Sequence, residues 1–404
     1  MNGAAAPSVL AVADSHSYLS WSAATLAAMP AGWTRRQVVI RSPVTPSAAQ
    51  LRAATGGDVE VLGLTRLLGL IERRRPDVLL LAGTGPTVST IAAQRRLRTS
   101  RQRPVLVTGL PGISLPASRH AVELRRGCDL LVVHSRRERR AYAELVDQLD
   151  ADLAVGLARL PFLPQLSADP PPPRDDGDVV FAAQSRVPPT RDQRRAVLEA
   201  LARVEPAGTA VVKLRATLGE EQTHREAFPL ELLWEELVAE GRVEPDAVRF
   251  VTGSMADALA SARACVTVSS TAVLEAMAAG SSVLVLDDFG VSPEMINVAF
   301  EHSDCQGSLD DLVAGRFRRP ASAWLTDNYF HAESDSDWLD QIVRLLRARD
   351  KHGLPHRPAG PTSERRGAVR PNLRLILPGP AQAGIRRIRS RAAAARSRLR
   401  GPLP

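Results

Sequence analysis

The chain alternates short, continuously apolar runs rich in β-branched residues with stretches of helical periodicity. Runs that are apolar throughout are typical of strands covered on both faces, as in parallel sheets flanked by helices. In the first half the predicted strands are residues 9–13, 38–40, 59–62, 77–82, 105–108 and 130–133. Helical stretches separate them, so the pattern predicts an α/β protein with a parallel sheet.

Four consecutive prolines within residues 169–174 interrupt this pattern, because proline fits neither a helix interior nor a central strand. The pattern then restarts, with predicted strands at residues 179–183, 210–214, 248–252, 265–268 and 282–286. We therefore expect two Rossmann-like parallel-sheet domains, residues 1–168 and 177–350, joined by a proline-rich linker, residues 169–176. The two domains are expected to face a cleft, with ligands beyond the carboxyl ends of the strands.

Positive charge is concentrated at the C-terminus. The net charge is +8, but residues 354–404 hold twelve arginines and one acid, a charge of +11 that leaves the remainder at −3. Residues 351–404 are therefore predicted to be a disordered basic tail, and no specific nucleic-acid partner is expected for the body. Residues 383–399 have a thin apolar stripe that would suit weak contact with an anionic membrane, although a solvated tail is the favoured interpretation.

The sequence also indicates the cellular compartment. No apolar run reaches the ~18 residues of a membrane-spanning helix, and residues 1–7 lack the basic start of an export signal. Three scattered cysteines are too few for a disulfide framework. We predict a cytoplasmic protein; the alternative is a cytoplasmic protein held peripherally at the inner membrane face by its tail.

The most informative stretch is residues 265–280, where a predicted strand leads into three hydroxyl residues and then a helix. The hydroxyls of Ser269, Ser270 and Thr271 and the free N–H groups of the first turn would bind an anion such as a diphosphate. Glu275, one turn inside, would accept hydrogen bonds from ribose hydroxyls. The alternative is that Ser270 or Thr271 only caps the helix.

Lys213 is one of only two lysines in the chain, and it follows a predicted strand together with Arg215. Both side chains are expected on one face at the end of the strand. A cation there would neutralise the charge of a leaving diphosphate. The alternative is a surface ion pair with Glu220 or Glu221.

The loop after the first strand holds the candidates for a general base. Asp14 ends the apolar run, so its carboxylate should emerge at the edge of the cleft, with Ser15 and His16 beside it. Asp14 would take a proton from an attacking hydroxyl, and His16 would do the same with a pKa nearer neutrality. The alternative is that Asp14 or Ser15 caps the following helix; of the two bases Asp14 is preferred.

Two glycine-containing loops follow other strands of the first half. Thr84 and Gly85 lie in one, and Gly109 and Gly112 bracket the other. These loops would line the side of the cleft opposite Ser269, or serve only as tight turns, which is the favoured interpretation. Asp287 and Asp288 are adjacent on a strand end and so point apart, and neither a metal nor another cofactor is predicted.

Residues 269–280 resemble the donor-site segment of glycosyltransferases with the two-domain GT-B fold, in which a helix containing Glu-Ala-Met-Ala-x-Gly binds a nucleotide sugar. Taken with residues 13–21, 109–112, 133–138 and 212–215, the chain resembles an uncharacterised actinobacterial family of glycosyltransferases over residues 8–345. The resemblance implies a GT-B-like fold and a nucleotide-sugar donor. It also implies that His134 belongs to the acceptor-side loops.

The chain departs from the family pattern at one position. Retaining members often have two glutamates separated by seven residues, and the position that would pair with Glu275 is Thr267. The predicted function is therefore an inverting, metal-independent transfer of a sugar to a hydroxyl acceptor, which is a glycan, a lipid-linked compound or a small molecule. Two alternatives are a sugar-nucleotide epimerase or hydrolase on the same scaffold, and a non-catalytic binding protein tethered by its tail.

Overall fold

A computed structural model describes residues 6–166, 176–206, 209–214 and 226–358 of the chain. Within these ranges it contains two parallel sheets and the helices that cover them. The four prolines of the predicted linker, Arg215, and the tail from residue 359 onward lie outside the described residues.

The first sheet is built entirely of parallel strands. Its strands are β1 Ser8–Ala13, β2 Thr34–Ile40, β3 Val61–Leu62, β4 Val78–Ala82, β5 Val105–Gly109, β6 Leu130–Val133 and β7 Ala154–Leu157. Their order across the sheet is β3-β2-β1-β4-β5-β6-β7. The order reverses between β1 and β4, which is the switch point where such sheets bind ligands.

The second sheet repeats this arrangement. Its strands are β8 Asp178–Ala182, β9 Ala210–Lys213, β10 Val248–Val251, β11 Ala262–Thr267, β12 Ser282–Leu286 and β13 Gln306–Gly307. The order is β10-β9-β8-β11-β12-β13, so its switch point lies between β8 and β11. The predicted α/β class with two parallel-sheet units is confirmed.

Helices connect successive strands. In the first half they are α1 His16–Ala27, α2 Ala48–Thr55, α3 Leu64–Arg74, α4 Gly85–Ala92, α5 Arg95–Thr99, α6 Arg119–Glu123 and α7 Arg136–Gln148. In the second half they are α8 Arg191–Ala202, α9 Leu230–Ala239, α10 Met255–Ala260, α11 Ala272–Ala278, α12 Leu309–Val313, α13 Ser322–Asp327 and α14 Trp338–His352. Among the described residues, no helix has the length and apolar character needed to cross a membrane.

Both sheets are buried on two faces, as continuously apolar strands require. Every residue of β4 is at most 1% exposed. Side chains of α3, α4 and α7 cover one face of the first sheet, and those of α1 cover the other. In the second sheet α8, α9 and α12 cover one face and α11 covers the opposite one.

The last helix, α14, returns to the first half of the molecule. Its apolar side, Trp338, Ile342 and Leu346, packs in one buried cluster with strand residues of the first sheet such as Val105 and Leu130. The predicted domain boundary at residue 350 assigned α14 to the second domain, but the helix packs against the sheet of the first. An amphipathic pattern predicts a buried face, but it does not say which sheet buries that face.

The chain stays attached to the first half beyond α14. Leu354 is 1% exposed, and its N–H donates to the Arg101 carbonyl at 2.8 Å. Arg357 is also buried and donates to the Asp129 carboxylate, which Arg103 contacts from the other side at 2.6 Å. The predicted start of the tail, residue 351, is therefore too early. A basic composition does not reveal that Arg357 forms a buried ion pair with Asp129.

Four arginines of α7 join the first half to residues 301–337 of the second. The ion pairs are Arg136 with Asp335 at 2.6 Å, Arg137 with Glu301 at 2.6 Å, Arg139 with Asp337 at 3.1 Å and Arg140 with Asp327 at 2.6 Å. They lie on one helix and reach acids from several loops. The two halves are therefore linked through side chains as well as through the chain itself.

Candidate functional site

Asp14 bridges the switch point of the first sheet. It follows β1, and its Oδ2 accepts hydrogen bonds from the Thr84 N–H at 2.8 Å and the Thr84 hydroxyl at 2.6 Å, just after β4. Asp14 is fully buried, and its Oδ1 has no hydrogen-bond partner among the described residues. Ser15 holds the N-cap position of α1 but makes no side-chain capping bond. The carboxylate thus ties two strand ends together and does not cap the helix.

His16 is the more accessible of the two predicted bases. It is the first residue of α1 and is half-buried, whereas no part of Asp14 reaches solvent. A base must come within hydrogen-bond distance of its substrate. In this conformation the His16 side chain is accessible and the Asp14 carboxylate is not, whereas the sequence favoured Asp14.

A buried cation lies behind this loop. The Arg125 side chain donates to the Tyr18 hydroxyl at 3.0 Å and to the Gly83 carbonyl at 3.2 Å. Burial raises the pKa of Tyr18, the Arg125 charge opposes that rise, and the Asp14 carboxylate adds to it. Sequence reasoning missed Arg125, because nothing distinguishes it from the many other arginines.

Packing requires a glycine at two of the predicted acceptor-side positions, Gly85 and Gly109. A Cβ atom on Gly85 would overlap the Leu124 side chain, and a Cβ on Gly109 would overlap the Trp21 ring. These glycines allow neighbouring side chains to approach the backbone closely. The turn interpretation therefore explains Gly85 and Gly109 without a ligand.

His134 is a core residue in this structure. It is fully buried, its Nε2 accepts from the Trp21 indole N–H at 2.8 Å, and its Nδ1 lies 3.1 Å from the Ala158 carbonyl. A carbonyl only accepts, so Nδ1 carries the proton. Burial lowers the pKa of His134, which favours the neutral ring. Both ring nitrogens are engaged, so the expected role of His134 beside the acceptor is not supported.

Glu138, which the sequence did not single out as a site residue, links the halves. The buried carboxylate accepts from the Ser114 N–H at 2.8 Å, the His134 N–H at 2.9 Å and the Tyr329 hydroxyl at 2.7 Å. Its own N–H bonds the Ser135 hydroxyl, which caps α7. The Ser-x-x-Glu spacing at a helix start was the available signal.

The switch point of the second sheet is bridged in a similar way. Gln184, two residues after β8, donates through Nε2 to the Ser269 carbonyl at 2.6 Å, beyond the end of β11. The Thr267 hydroxyl donates to the Ala182 carbonyl at 3.0 Å and accepts from the Ser270 N–H at 3.0 Å. Thr267 thus holds the loop that leads into α11.

The predicted anion site before α11 is largely occupied by bonds within the chain. The Ser269 hydroxyl donates to the Ile296 carbonyl, and the Ser270 hydroxyl accepts from the Ala272 N–H at 3.2 Å. The Val273 N–H also bonds within the loop. These bonds engage the Ser269 hydroxyl and the N–H groups of Ala272 and Val273, whereas the Ser270 hydroxyl acts here only as an acceptor and keeps a proton that it can donate. Thr271 is half-buried and makes no side-chain cap.

Lys213 and Glu275 place opposite charges beside this loop. Lys213 ends β9, is 6% exposed, and donates to the Leu214 carbonyl at 2.7 Å. Glu275 in α11 is half-buried; burial raises its pKa, and the Lys213 charge opposes the rise. Arg215 and the alternative partners Glu220 and Glu221 lie outside the described residues.

The two halves approach each other at Gly112 and Thr271. A Cβ atom on Gly112, in the loop after β5, would lie 3.2 Å from the Thr271 Oγ1. This contact brings the carboxyl edge of one sheet to that of the other. A cavity of about 990 Å³ lies elsewhere, between α8, α12 and residues 241–247, and includes none of the predicted site residues. Among the described residues, no three His, Cys, Asp or Glu side chains cluster as a metal site.

Solved structures share this two-sheet architecture. The "S. aureus MnaA-UDP co-structure" is 10% identical with a TM-score of 0.55, over 87% of this chain and 99% of that one. A "putative UDP-N-acetylglucosamine 2-epimerase" from Listeria monocytogenes is 13% identical with a TM-score of 0.53, over 88% and 99%. A Polygonum tinctorium UDP-glucosyltransferase capable of glucosylating indoxyl is 12% identical with a TM-score of 0.51, over 86% and 100%. At these identities the likeness establishes the fold alone.

Sequence comparison identifies the family. A search of curated proteins found no match. One family profile matches residues 9–345, which include both sheets and most of the residues considered above. The chain therefore belongs to the family described as "Putative glycosyltransferase (DUF6716)".

Proposed function

We propose that the protein transfers a sugar from a nucleotide-activated donor to a hydroxyl acceptor. The observation that carries this proposal is the approach of Gly112 to Thr271, which brings together the ligand-binding edges of two Rossmann-like sheets. Family membership supports the reaction class. The donor, the acceptor and the mechanism below are our inferences from the arrangement of side chains.

The second half would hold the donor. The Lys213 ammonium, at the end of β9, would neutralise the diphosphate, and the Thr271 hydroxyl would bond one of its oxygens. Glu275 would accept from a ribose hydroxyl. A uridine diphosphate sugar is the first donor to test, because all three fold neighbours described above have UDP or a UDP-sugar in their names.

The first half would present the acceptor. As its hydroxyl oxygen attacks the anomeric carbon, its proton would pass to His16 while the bond to the nucleoside diphosphate breaks. Asp14 would order the loop through Thr84 and would act as base itself only if the loop opened. Thr267 in place of a second glutamate supports inversion through direct displacement, and no metal or other cofactor is invoked.

Donor binding is tested by thermal shift with nucleoside diphosphates and their sugars, because a ligand of the native state raises its melting temperature. Lys213→Met should weaken the best nucleotide at least about tenfold, as expected for a lost bond to a charged group. Lys351→Met, at the end of α14, is the matched control and should bind normally. Equal binding by both variants would remove Lys213 from the donor site.

The base is tested by comparing two variants in a transfer assay. His16→Gln should lower kcat by about 100-fold or more, the usual contribution of a general base. Asp14→Asn should reduce stability as well as activity, because its oxygen is part of the loop's hydrogen bonding. Full activity of His16→Gln would return the role to Asp14.

The alternative functions give different results in the same assays. An epimerase or hydrolase consumes the sugar nucleotide without an acceptor, whereas a transferase needs one from the candidate glycans, lipid-linked compounds or small molecules. A tethered binding protein would bind no nucleotide, and its salt-dependent adhesion to anionic vesicles would disappear on deletion of residues 359–404. Acceptor-dependent turnover would exclude all of these alternatives.

A further inference from the structure

We propose that Gln184 is a donor-site residue whose side-chain oxygen accepts a hydrogen bond from a hydroxyl group of the nucleotide sugar. This inference rests on the proposed function and adds a residue to the donor site. The hydroxyl belongs either to the ribose or to the transferred sugar, two sources with the same chemistry that the experiment below distinguishes.

The orientation of the Gln184 amide follows from its partner. The amide lies 2.6 Å from the Ser269 backbone carbonyl, which only accepts hydrogen bonds. The amide nitrogen must therefore face Ser269, and the oxygen must face away from it. The usual ambiguity between the oxygen and nitrogen of a glutamine does not arise here.

The amide oxygen lacks a donor. Oε1 of Gln184 is buried and has no hydrogen-bond partner among the described residues, whereas the amide nitrogen donates to the Ser269 carbonyl. Leaving a buried acceptor unsatisfied is unfavourable, so such groups are normally met by a ligand, a water or another donor. The site therefore calls for a hydrogen-bond donor.

The backbone around Gln184 is held in place by a buried arginine. Arg194 is 2% exposed and donates to the Gln184 carbonyl at 3.0 Å and to the Ser185 carbonyl at 2.9 Å. The neighbouring Ala183 N–H bonds the Lys213 carbonyl at 3.1 Å. Gln184 is thus fixed between the strand that ends in Lys213 and the loop that begins with Ser269.

The position of Gln184 matches that of Asp14 in the first sheet. Asp14 follows the first strand of its sheet and bonds Thr84 after the neighbouring strand across the switch point. Gln184 follows β8 and bonds Ser269 after β11, again across the switch point. Each side chain retains one buried oxygen without a partner, Asp14 Oδ1 and Gln184 Oε1. Ligands of such sheets bind at this crevice.

The chemistry of a nucleotide sugar indicates which of its groups can satisfy Gln184. Diphosphate oxygens only accept, so they cannot bond Oε1 and are left to Lys213. Hydroxyl groups of the ribose and of the sugar, on either side of the diphosphate, donate. If Lys213 binds the diphosphate, Gln184 Oε1 is therefore expected to accept from a ribose or sugar hydroxyl next to that diphosphate.

The test measures Kd for UDP-glucose, for its 2′-deoxy and 3′-deoxy ribose analogues, and for analogues with single hydroxyls removed from the glucose. Gln184→Met removes the oxygen at similar length, and Gln184→Glu keeps one. In the wild type, removal of the bonded hydroxyl should weaken binding about 3- to 10-fold. Gln184→Met should weaken the binding of UDP-glucose by the same factor, and it should bind UDP-glucose and the analogue without that hydroxyl equally well. Gln184→Glu should still bind UDP-glucose more tightly than that analogue.

Each outcome bears on the proposal separately. A ribose analogue or a glucose analogue that loses its penalty in Gln184→Met supports the proposal and identifies the source of the hydroxyl. If Gln184→Met weakens all analogues equally, or none of them, the oxygen meets water or serves the fold, and the proposal is overturned. If Gln184→Met does not fold, the wild type and Gln184→Glu still test the proposal. If each of these two proteins binds UDP-glucose and all its analogues with equal affinity, the proposal is overturned. If no nucleoside diphosphate or nucleotide sugar, UDP-glucose included, raises the melting temperature of the wild type, the proposed function itself fails; if another nucleotide sugar does, its own deoxy analogues replace those of UDP-glucose in the test.

Discussion

The Tyr329 hydroxyl donates to Glu138 Oε1 at 2.7 Å, and this buried bond joins the two halves of the molecule. The same carboxylate accepts from the Ser114 N–H and the His134 N–H, so one acid holds the loop after β5, the start of α7 and the second half together. Three hydrogen-bond donors thus converge on this one carboxylate. Because these partners are separated by up to 191 residues in sequence, Glu138 is a long-range constraint on the position of the halves.

We expect Glu138→Gln to lower the free energy of unfolding by about 3 kcal/mol, because the amide presents an N–H₂ group to donors that need an acceptor. Tyr329→Phe removes one of the three bonds and should cost about 1.5 kcal/mol. Urea denaturation of both variants measures the difference. Equal stability of wild type and Glu138→Gln would show that the carboxylate is not the constraint inferred here.

Much of the fold was predictable, and the exceptions share a physical cause. Strands such as β4 and β6 are apolar throughout, and that pattern alone predicted buried parallel strands. The sequence also placed Asp14 and Lys213 correctly at strand ends. It did not reveal that His134 pairs with Trp21, because such a contact joins residues 113 positions apart.

The same limit applies to the loop before α11. The hydroxyl cluster was recognisable in the sequence, but its bonds to Ile296 and within the turn depend on the folded backbone. Gln184 carried no motif and was found only through its contact with Ser269. Local sequence patterns thus located the edge of the sheet. Which polar groups at that edge bond within the protein, and which remain available to a ligand, was visible only in the folded structure.

We expect the end of the described chain to stabilise the first half. Truncation after residue 358 keeps Leu354 and Arg357, whereas truncation after residue 352 removes both. Loss of the buried Leu354 alone should cost at least about 2 kcal/mol. Loss of Arg357 leaves the buried Asp129 carboxylate with fewer donors. Burial raises the pKa of Asp129, and Arg103 and Arg357 together hold that pKa below its ordinary value, so the loss of one arginine removes part of what keeps the carboxylate charged.

Thermal or urea unfolding of the two truncated proteins tests this prediction. The protein ending at 358 should match the full chain, and the protein ending at 352 should unfold earlier. Identical midpoints for the two would show that residues 353–358 contribute nothing to stability.

Gly109, the last residue of β5, and Gly112, in the loop after it, should respond differently to alanine. Gly109→Ala would push the Trp21 ring from its position, at a cost of about 1 to 3 kcal/mol in unfolding free energy. Gly112→Ala meets only the Thr271 hydroxyl at 3.2 Å, so stability should change by less than about 0.5 kcal/mol. Its effect should instead fall on donor binding, which calorimetry with UDP-glucose would measure. A Gly112→Ala protein with both stability and affinity unchanged would argue against a ligand between these loops.

Donor affinity should depend on pH through Glu275. Burial raises the pKa of this carboxyl, while the Lys213 charge opposes the rise. When Glu275 is ionised it competes for Lys213 and repels a diphosphate; when it is protonated it does neither, and its carbonyl oxygen still accepts from the ribose hydroxyl. Affinity should therefore fall as pH rises through the pKa of Glu275, and binding should be accompanied by proton uptake.

The same raised pKa fixes the sign of a stability effect. The pKa of this carboxyl is higher in the folded state than in the unfolded state, where it is about 4.3. The free energy of unfolding therefore falls as pH rises from the unfolded-state pKa through the folded-state pKa. Glu275→Gln should therefore be more stable than the wild type at pH 7 and equal to it well below pH 4. UDP-glucose is the suitable ligand for the binding series, because its diphosphate diester does not titrate in this range. In Glu275→Gln the affinity should no longer depend on pH; if it keeps the slope of the wild type, another group is responsible, and Glu275 lies outside the donor site.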